Sequence, residues 1–360
     1  MKMLVYGAGP LGSLFAARLD EAGHDVALLA RGQRLADLRE HGVILEDSVT
    51  GEREVTRVKV VEALAPDDFY DVVLVVMRKN HALDILPVLA ANQRVPTVLF
   101  MMNNAAGPEA LIEAVGKERV LLGFPLPGGH RDGPVMRMVP DRDAGWEIPI
   151  GEVDGRITAR TRRVAAALAQ MRGYKVDIRT DMDAWLRHHV AIVGPLAAAL
   201  YATDTDQGRM VRTRDALVLG TRGMKEALRG LEQAGYPISP PVLRALFAVP
   251  EPLLLSLVRG LLSIESLKVS LEGHARAARD EMTHLMLELR EVIATTDAET
   301  PALERLYPHL DAETPPLHDA SCKIPVRWQE MVVPTLVTVG TLAGVVLITR
   351  RLCARKKKSA

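Results

Sequence analysis

Cysteine is almost absent. Cys322 and Cys353 are the only two in 360 residues, too few and too awkwardly placed for a disulfide framework or a thiolate metal site, which fits a reducing compartment. Net charge is absent too: 45 Lys and Arg balance 45 Asp and Glu. No basic stretch interleaved with aromatics is present, so the electrostatic footprint of a nucleic-acid binder is missing. No His, Asp, Glu or Cys group has the spacing of a metal site, and none is assigned. Apart from a basic tail there is no low-complexity stretch and no internal repeat. What the chain does have is aliphatic bulk. With 48% hydrophobic residues it can bury two cores of ordinary size, so two domains are expected.

The most informative stretch is Gly7-Ala8-Gly9-Pro10-Leu11-Gly12. It follows a short apolar strand, Met3 to Tyr6, and opens a helix at Leu11. Gly7 and Gly9 allow a tight turn and a close approach of backbone to a pyrophosphate, Gly12 lets helix and strand touch, and the helix N-terminus around Pro10 and Leu11 offers free N–H donors. The helix ends at Gly23, and Val26 to Ala30 forms the next buried strand, which completes a βαβ unit. A dinucleotide is therefore the expected ligand. After that second strand, where NAD-specific folds carry an acid, stands Arg31, with Arg34 nearby and no acid before Asp37. A guanidinium matches a 2′-phosphate, so NADP(H) is the expected cofactor. Arg78 and Lys79, past the strand Val72 to Met77, add positive charge; Arg34 and Lys79 read as solvated loop cations.

Further strands are expected at Gly42–Leu45, Val55–Val61, Pro96–Met101, Val120–Phe124, Val135–Val139, Glu147–Gly151 and Tyr174–Arg179, with a helix over Ile157–Met171. This alternating order predicts an α/β Rossmann domain over residues 1–180. From Asp181 apolar residues recur at helical spacing, over Ala184–Tyr201, Ala216–Ala234 and His274–Thr296. Pro-rich breaks fall at Tyr236–Pro241 and Val249–Pro252. An all-α C-terminal domain over 181–315 is expected to contact substrate and to carry pairing with a second copy, and 316–331 reads as a linker. Val332 to Thr349 are eighteen uncharged, mostly apolar residues, about 27 Å of helix, ahead of a basic tail over 350–360. They predict a C-terminal hydrophobic helix with the length of a transmembrane segment or of a buried core helix. The first apolar run reads as a structural strand rather than a leader, so the catalytic half is expected to be cytoplasmic, with membrane attachment through 332–349 left open.

The run from Gly7 to Arg31 strongly resembles the start of the ketopantoate reductase (2-dehydropantoate 2-reductase) family. Asn103-Asn104-Ala-Ala-Gly107 sits where that family has an Asn-Gly turn after a strand. Asp181-Met-Asp-Ala-Trp185 resembles the opening of its first C-terminal helix, and Glu281 a late helical acid. The likeness covers about residues 1–315. It implies NADPH-dependent reduction of a 2-oxo acid, a small-molecule carbonyl, in a cleft between the two domains. By the same resemblance the family's general acid, a lysine, falls on Arg187, and two family asparagines fall on Ala191 and Pro195.

These departures bear on the chemistry. A lysine in a cleft can protonate a developing alkoxide, whereas arginine stays charged and serves as a clamp for a carboxylate or carbonyl oxygen. His188 and His189 are the nearest proton donors, and His189 shares a face with Trp185 four residues earlier; a histidine satisfied within domain packing is the alternative. Glu281 would orient Arg187 or bind a substrate hydroxyl, or else be a solvated acid paired with His284. Asn103, at a strand's carboxyl end, would hold the nicotinamide ribose or the substrate; Asn104 reads as turn chemistry. Trp185 reads as packing, Asp181 and Asp183 as an N-cap and a first-turn acid, and Ser270 and His274 as structural. Two other roles stay open: a membrane-tethered NADP-binding sensor without turnover, and reduction of a bulkier apolar carbonyl drawn from a bilayer.

Overall fold

The computed structural model describes residues 1–140, 145–264, 271–273 and 275–332. Strands β1 (Lys2–Tyr6), β2 (Asp25–Leu29), β3 (Val43–Asp47), β4 (Arg53–Thr56), β5 (Lys59–Val61), β6 (Val72–Val75), β7 (Val98–Met101), β8 (Val120–Gly123), β9 (Gly129–Asp132), β10 (Val135–Met138), β11 (Trp146–Glu152) and β12 (Tyr174–Ile178) occupy the first half of the chain. The main sheet has eight strands in the order β12-β11-β8-β7-β6-β1-β2-β5. It is parallel except where β11 meets β8. Its central strands are buried along nearly their whole length, as a sheet covered on both faces requires. Leu14, Phe15, Leu28 and Leu99 fill one face, Tyr6, Val73, Phe100 and Leu122 the other. The helices of this half are α1 (Pro10–Glu21), α2 (Gly32–His41), α3 (Lys79–Asp84), α4 (Leu86–Ala91), α5 (Glu109–Val115) and α6 (Ala159–Leu168).

A second sheet departs from the expectation of one extended Rossmann sheet. Its order is β4-β3-β10-β9, and α1 packs against it as well as against the main sheet. Val55–Val61, read as one strand, breaks after Thr56. Its first part, with side chains alternating between exposed and half-buried, is an edge of the small sheet, while Lys59–Val61 pairs with Ala27–Leu29 in the main one. A strand wet on one face cannot continue into a sheet covered on both.

The second half is helical: α7 (Met182–Tyr201), α8 (Gln207–Arg212), α9 (Arg214–Gln233), α10 (Val242–Ala248), α11 (Glu251–Leu262), α12 (Arg279–Ile293) and α13 (Pro301–Leu306), followed by the 3-10 turns Tyr307–Leu310 and Trp328–Val332. Helix α7 belongs to both cores. Met182 and Leu186 pack on the sheet, and from Val190 on it joins the helical core. Residues 316–331 are strapped down rather than a free linker: Asp215 accepts from the N–H groups of Lys323 and Ile324, and Glu251 accepts from Arg222 and from the Arg327 N–H. Of the expected membrane segment 332–349, all but Val332 lies outside the described residues, as do the basic tail, Ser270 and His274. Among the described residues no helix is long and apolar enough to cross a membrane.

Gly12 shows how closely strand, turn and helix meet. A Cβ there would stand 1.8 Å from the Gly7 carbonyl oxygen, a backbone clash that only movement of α1 can relieve. Gly12→Ala is expected to destabilise the N-terminal half by about 1–3 kcal/mol. Denaturant unfolding checks this, and a wild-type midpoint would show that the turn gives way freely.

Candidate active site

Three parallel neighbours in the sheet, β1, β6 and β7, end on the same edge, and the candidate residues lie just past those ends. After β1 comes the glycine turn. Gly7 has φ +121°, and a Cβ on it would lie 2.4 Å from the Val76 carbonyl oxygen, whereas a Cβ on Gly9 would meet nothing within 4 Å. One side of the turn is thus bare backbone. Helix α1 starts there with Pro10 in its first turn and no side-chain cap, so its N–H groups remain available to an anion, as a pyrophosphate needs.

Arg31 is exposed, lies two residues past the end of β2, and donates to the Tyr6 hydroxyl at 2.7 Å. Arg34 is no solvated cation. It is buried, and it donates to the Ala8 carbonyl, the Pro134 carbonyl and Ser13 Oγ, tying the glycine turn and α1 to the second sheet. Burial lowers its pKa to about 10. Arg78 reaches across the domains to Asp280 at 2.6 Å, and Asn80 donates to the same carboxylate. Burial pushes Asp280 up, but Asn80 and Arg78 outweigh it and hold the group below its ordinary value.

Lys79 also differs from expectation: it is 3% exposed. Its Nζ stands 2.6 Å from Asn104 Oδ1 and 2.6 Å from Glu288 Oε1, and its backbone N–H donates to Glu281 Oε1 at 3.2 Å. Burial lowers the amine's pKa, with Glu288 and Asp183 working against the shift and Arg187 with it. Asn103 donates to Glu281 Oε1 at 3.5 Å, while its own Oδ1 is buried with no partner among the described residues. Asn104 closes the turn, accepting from the Gly107 N–H and donating to the Gly107 carbonyl. Glu281 and Glu288 stand two turns apart on α12, and Glu288 also accepts from the N–H groups of Ala105 and Ala106. His284, between them, faces Glu288 at 3.1 Å rather than Glu281. Burial raises the Glu281 pKa.

Arg187 is 1% exposed. It pairs with Asp183, donates to the Ala105 and Ala106 carbonyls, and lies over the Tyr236 ring. It is a strut between α7 and the loop after β7, and reaching a substrate would mean leaving these partners. His188 is sealed, its Nδ1 on the Ala184 carbonyl, and burial lowers its pKa. His189 stacks on Trp185 and packs on Phe124 past the end of β8. It lies two residues, about 200° of helix, from Arg187 and so on the opposite side of α7. Asp181 occupies the N-cap position, yet its carboxylate takes Arg179 and Ser239 instead of the helix N–H groups. Ala191 is buried in the helical core, and Pro195 packs on Gly223 of α9.

The structure therefore brings Asn103 and Glu281 together, sets Arg187 of α7 against the loop that carries Asn103 in a structural role, and sets His189 elsewhere. Sequence reasoning missed Glu288 and the burial of Lys79. The signal for the first was there: Glu281, His284 and Glu288 form a polar stripe at i, i+3, i+7 on a helix otherwise facing a core.

An eight-stranded, mostly parallel sheet with a glycine turn at its carboxyl edge and a helical half leaning over that edge defines a two-domain dinucleotide-binding fold. Residues 3–139 match the family model described as ketopantoate reductase PanE/ApbA. A 2-dehydropantoate 2-reductase of Mesorhizobium japonicum is 25% identical over 210 residues, 52% of this chain and 63% of the relative. A 2-dehydropantoate 2-reductase structure from Geobacter metallireducens superposes with TM-score 0.71 at 19% identity, covering 87% of this chain and 100% of the other. The ternary structure of D-mandelate dehydrogenase with NADH and anilino(oxo)acetate gives TM-score 0.71 at 13% identity, covering 86% and 97%. Residues 3–139 thus resemble the ketopantoate reductase family, and the solved structures extend the likeness of fold over most of the chain. Its matches span less than two thirds of the length of the curated relatives, 63% and 61%.

Two outcomes follow from these contacts. Arg187→Met is expected to cost about 3 kcal/mol, since it leaves Asp183 and two loop carbonyls without their partner; thermal and denaturant unfolding check it. Glu281, whose folded pKa lies above its ordinary 4.5, binds its proton more tightly folded than unfolded. Its contribution is therefore complete at low pH and declines as pH rises past 4.5. The Tm advantage of Glu281→Gln over wild type should grow with pH above that value, and a difference independent of pH would contradict it.

Proposed function

We propose that the protein is a nicotinamide-dependent reductase that converts a small 2-oxo acid to its 2-hydroxy acid, with NADPH as coenzyme. The observation that carries this reading is the convergence just described: the bare glycine turn, Lys79 and Asn103 follow three adjacent parallel strands, and Lys79 and Asn103 meet Glu281 of the helical half. Open α/β sheets bind ligands at that edge. The relatives support the class of reaction, and the complex of D-mandelate dehydrogenase with NADH and anilino(oxo)acetate supports a nicotinamide beside a carboxylate-bearing carbonyl. Arg31 supports NADPH, because its exposed guanidinium, steadied by Tyr6, stands where an adenosine 2′-phosphate would need a cation.

The residues fit the coenzyme. Gly7, Gly9, Pro10, Leu11 and Gly12 would hold the pyrophosphate. Arg31 would take the 2′-phosphate, with Arg78 beside the same edge. Asn103 would accept a ribose or substrate hydroxyl at its unpartnered Oδ1. Bound nicotinamide supplies a hydride. Glu281 fixes the Asn103 amide and the start of α3, and Arg187 fixes the loop carrying Asn103 and Asn104. A second reading, a nicotinamide-binding protein without turnover, is favoured by the burial of Arg187 where the family resemblance puts a general acid.

One experiment separates them. The purified chain is expected to oxidise NADPH in the presence of a panel of 2-oxo acids, followed at the reduced-nicotinamide absorbance. Arg31→Glu should weaken NADPH binding by about 10- to 100-fold, the worth of one or more charge-assisted hydrogen bonds, and spare NADH. NADPH binding with no turnover on any 2-oxo acid would favour the second reading, and an unchanged coenzyme preference in Arg31→Glu would remove the NADPH assignment.

A further inference from the structure

A carbonyl reduction needs a proton as well as a hydride. The cations and imidazoles of α7 are poorly placed to give one: Arg187 is a strut held by loop carbonyls, His188 is sealed, and His189 is stacked between rings. The buried seam between α3 and α12 offers a different arrangement. Glu288 Oε1 lies 2.6 Å from Lys79 Nζ, and both side chains are buried beside Asn104 of the loop after β7. His284 Nε2 stands 3.1 Å from the same oxygen but makes no hydrogen bond among the described residues. The ammonium has three N–H donors, of which Asn104 Oδ1 and Glu288 take two.

We propose that Lys79 is the catalytic proton donor of this site, acting from α3, and that Glu288 holds and reloads its amine. The inference rests on the reductase reading above. As hydride adds to the carbonyl carbon, the C=O π pair moves onto oxygen. The oxygen takes a proton from Lys79 Nζ, and the N–H pair stays on nitrogen as a neutral amine. Glu288, 2.6 Å away, passes the amine a proton taken from water, so the cycle consumes one hydride and one solvent proton per carbonyl.

The groups facing Lys79 pull its amine in both directions. Glu288 of α12 holds the proton on the amine, Asp183 of α7 does so more weakly, and Arg187 of α7 opposes it. Glu281 of α12 is engaged by the Lys79 backbone rather than its amine. Burial lowers the amine's pKa, the direction that makes a lysine a usable acid near neutrality. Glu288 is a positioning residue, since it does not touch the carbonyl.

The test uses the full chain with NADPH and the same panel of 2-oxo acids. Lys79→Met and Lys79→Arg are both expected to lower kcat by about 100-fold or more while NADPH still binds, by fluorescence, within about a factor of three. Glu288→Gln is expected to lower the 15N titration midpoint of Lys79 Nζ, which a merely structural role of Glu288 would leave unmoved. Lys79→Arg turning over at the wild-type rate would overturn the proposal, because arginine cannot release a proton. Should the wild type bind NADPH yet reduce no 2-oxo acid, the reductase reading itself fails. The pairing of Lys79 with Glu288 is then judged by the 15N titration alone: a midpoint lower in Glu288→Gln than in wild type supports it, and an unmoved midpoint overturns it.

Discussion

Two carboxylates on one helix hold the domains to each other. Glu281 and Glu288 project from α12 into a buried seam, where an unpaired charge would be costly. Each has partners in the opposite domain: the backbone N–H of Lys79 and the Asn103 amide for Glu281, the Lys79 amine and the N–H groups of Ala105 and Ala106 for Glu288. Those partners sit on the two segments that follow β6 and β7. The position of the helical half, the shape of the loop carrying Asn103, and the place of the buried amine are thus one electrostatic problem with one solution.

Arginines complete that solution by acting as multi-donor struts. Arg187 satisfies two carbonyls of the loop after β7 from α7, and Arg34 satisfies the Ala8 carbonyl of the glycine turn from α2. A planar fork with five donors suits this role, because loop carbonyls close to a binding edge have no helix or strand to pair with. The small second sheet matters for the same reason. It carries Pro134, whose carbonyl takes another Arg34 donor, so the turn that would cradle a pyrophosphate is braced from outside the Rossmann sheet.

Much of this was legible beforehand. The first βαβ unit reads directly, since glycines at 7, 9 and 12 between two apolar runs have few other uses, and helix α1 starts within one residue of its expected position. The change from strand to helix spacing near residue 180 is as plain, and the end of β12 at Ile178 and the start of α7 at Met182 follow it. The second sheet was not legible, because the short alternating strands 43–47, 53–56 and 135–138 carry the same apolar signal as edge strands of a Rossmann sheet. Nor was the fate of the cations. Lys79 and Arg34 follow strands in segments that look solvated, and only acceptors distant in sequence, Glu288 and Pro134, take them out of water.

The sequence alone therefore determined the dinucleotide-type turn, the α/β-then-α order, and the guanidinium just past β2, since each is a local matter of backbone freedom, periodicity or neighbouring charge. Tertiary structure decided which charged side chains are buried and what they face. Arg187 became a strut, His189 was stacked away, and Lys79 was drawn into the seam, because the cost of burying a charge is met only by partners that folding brings from far along the chain.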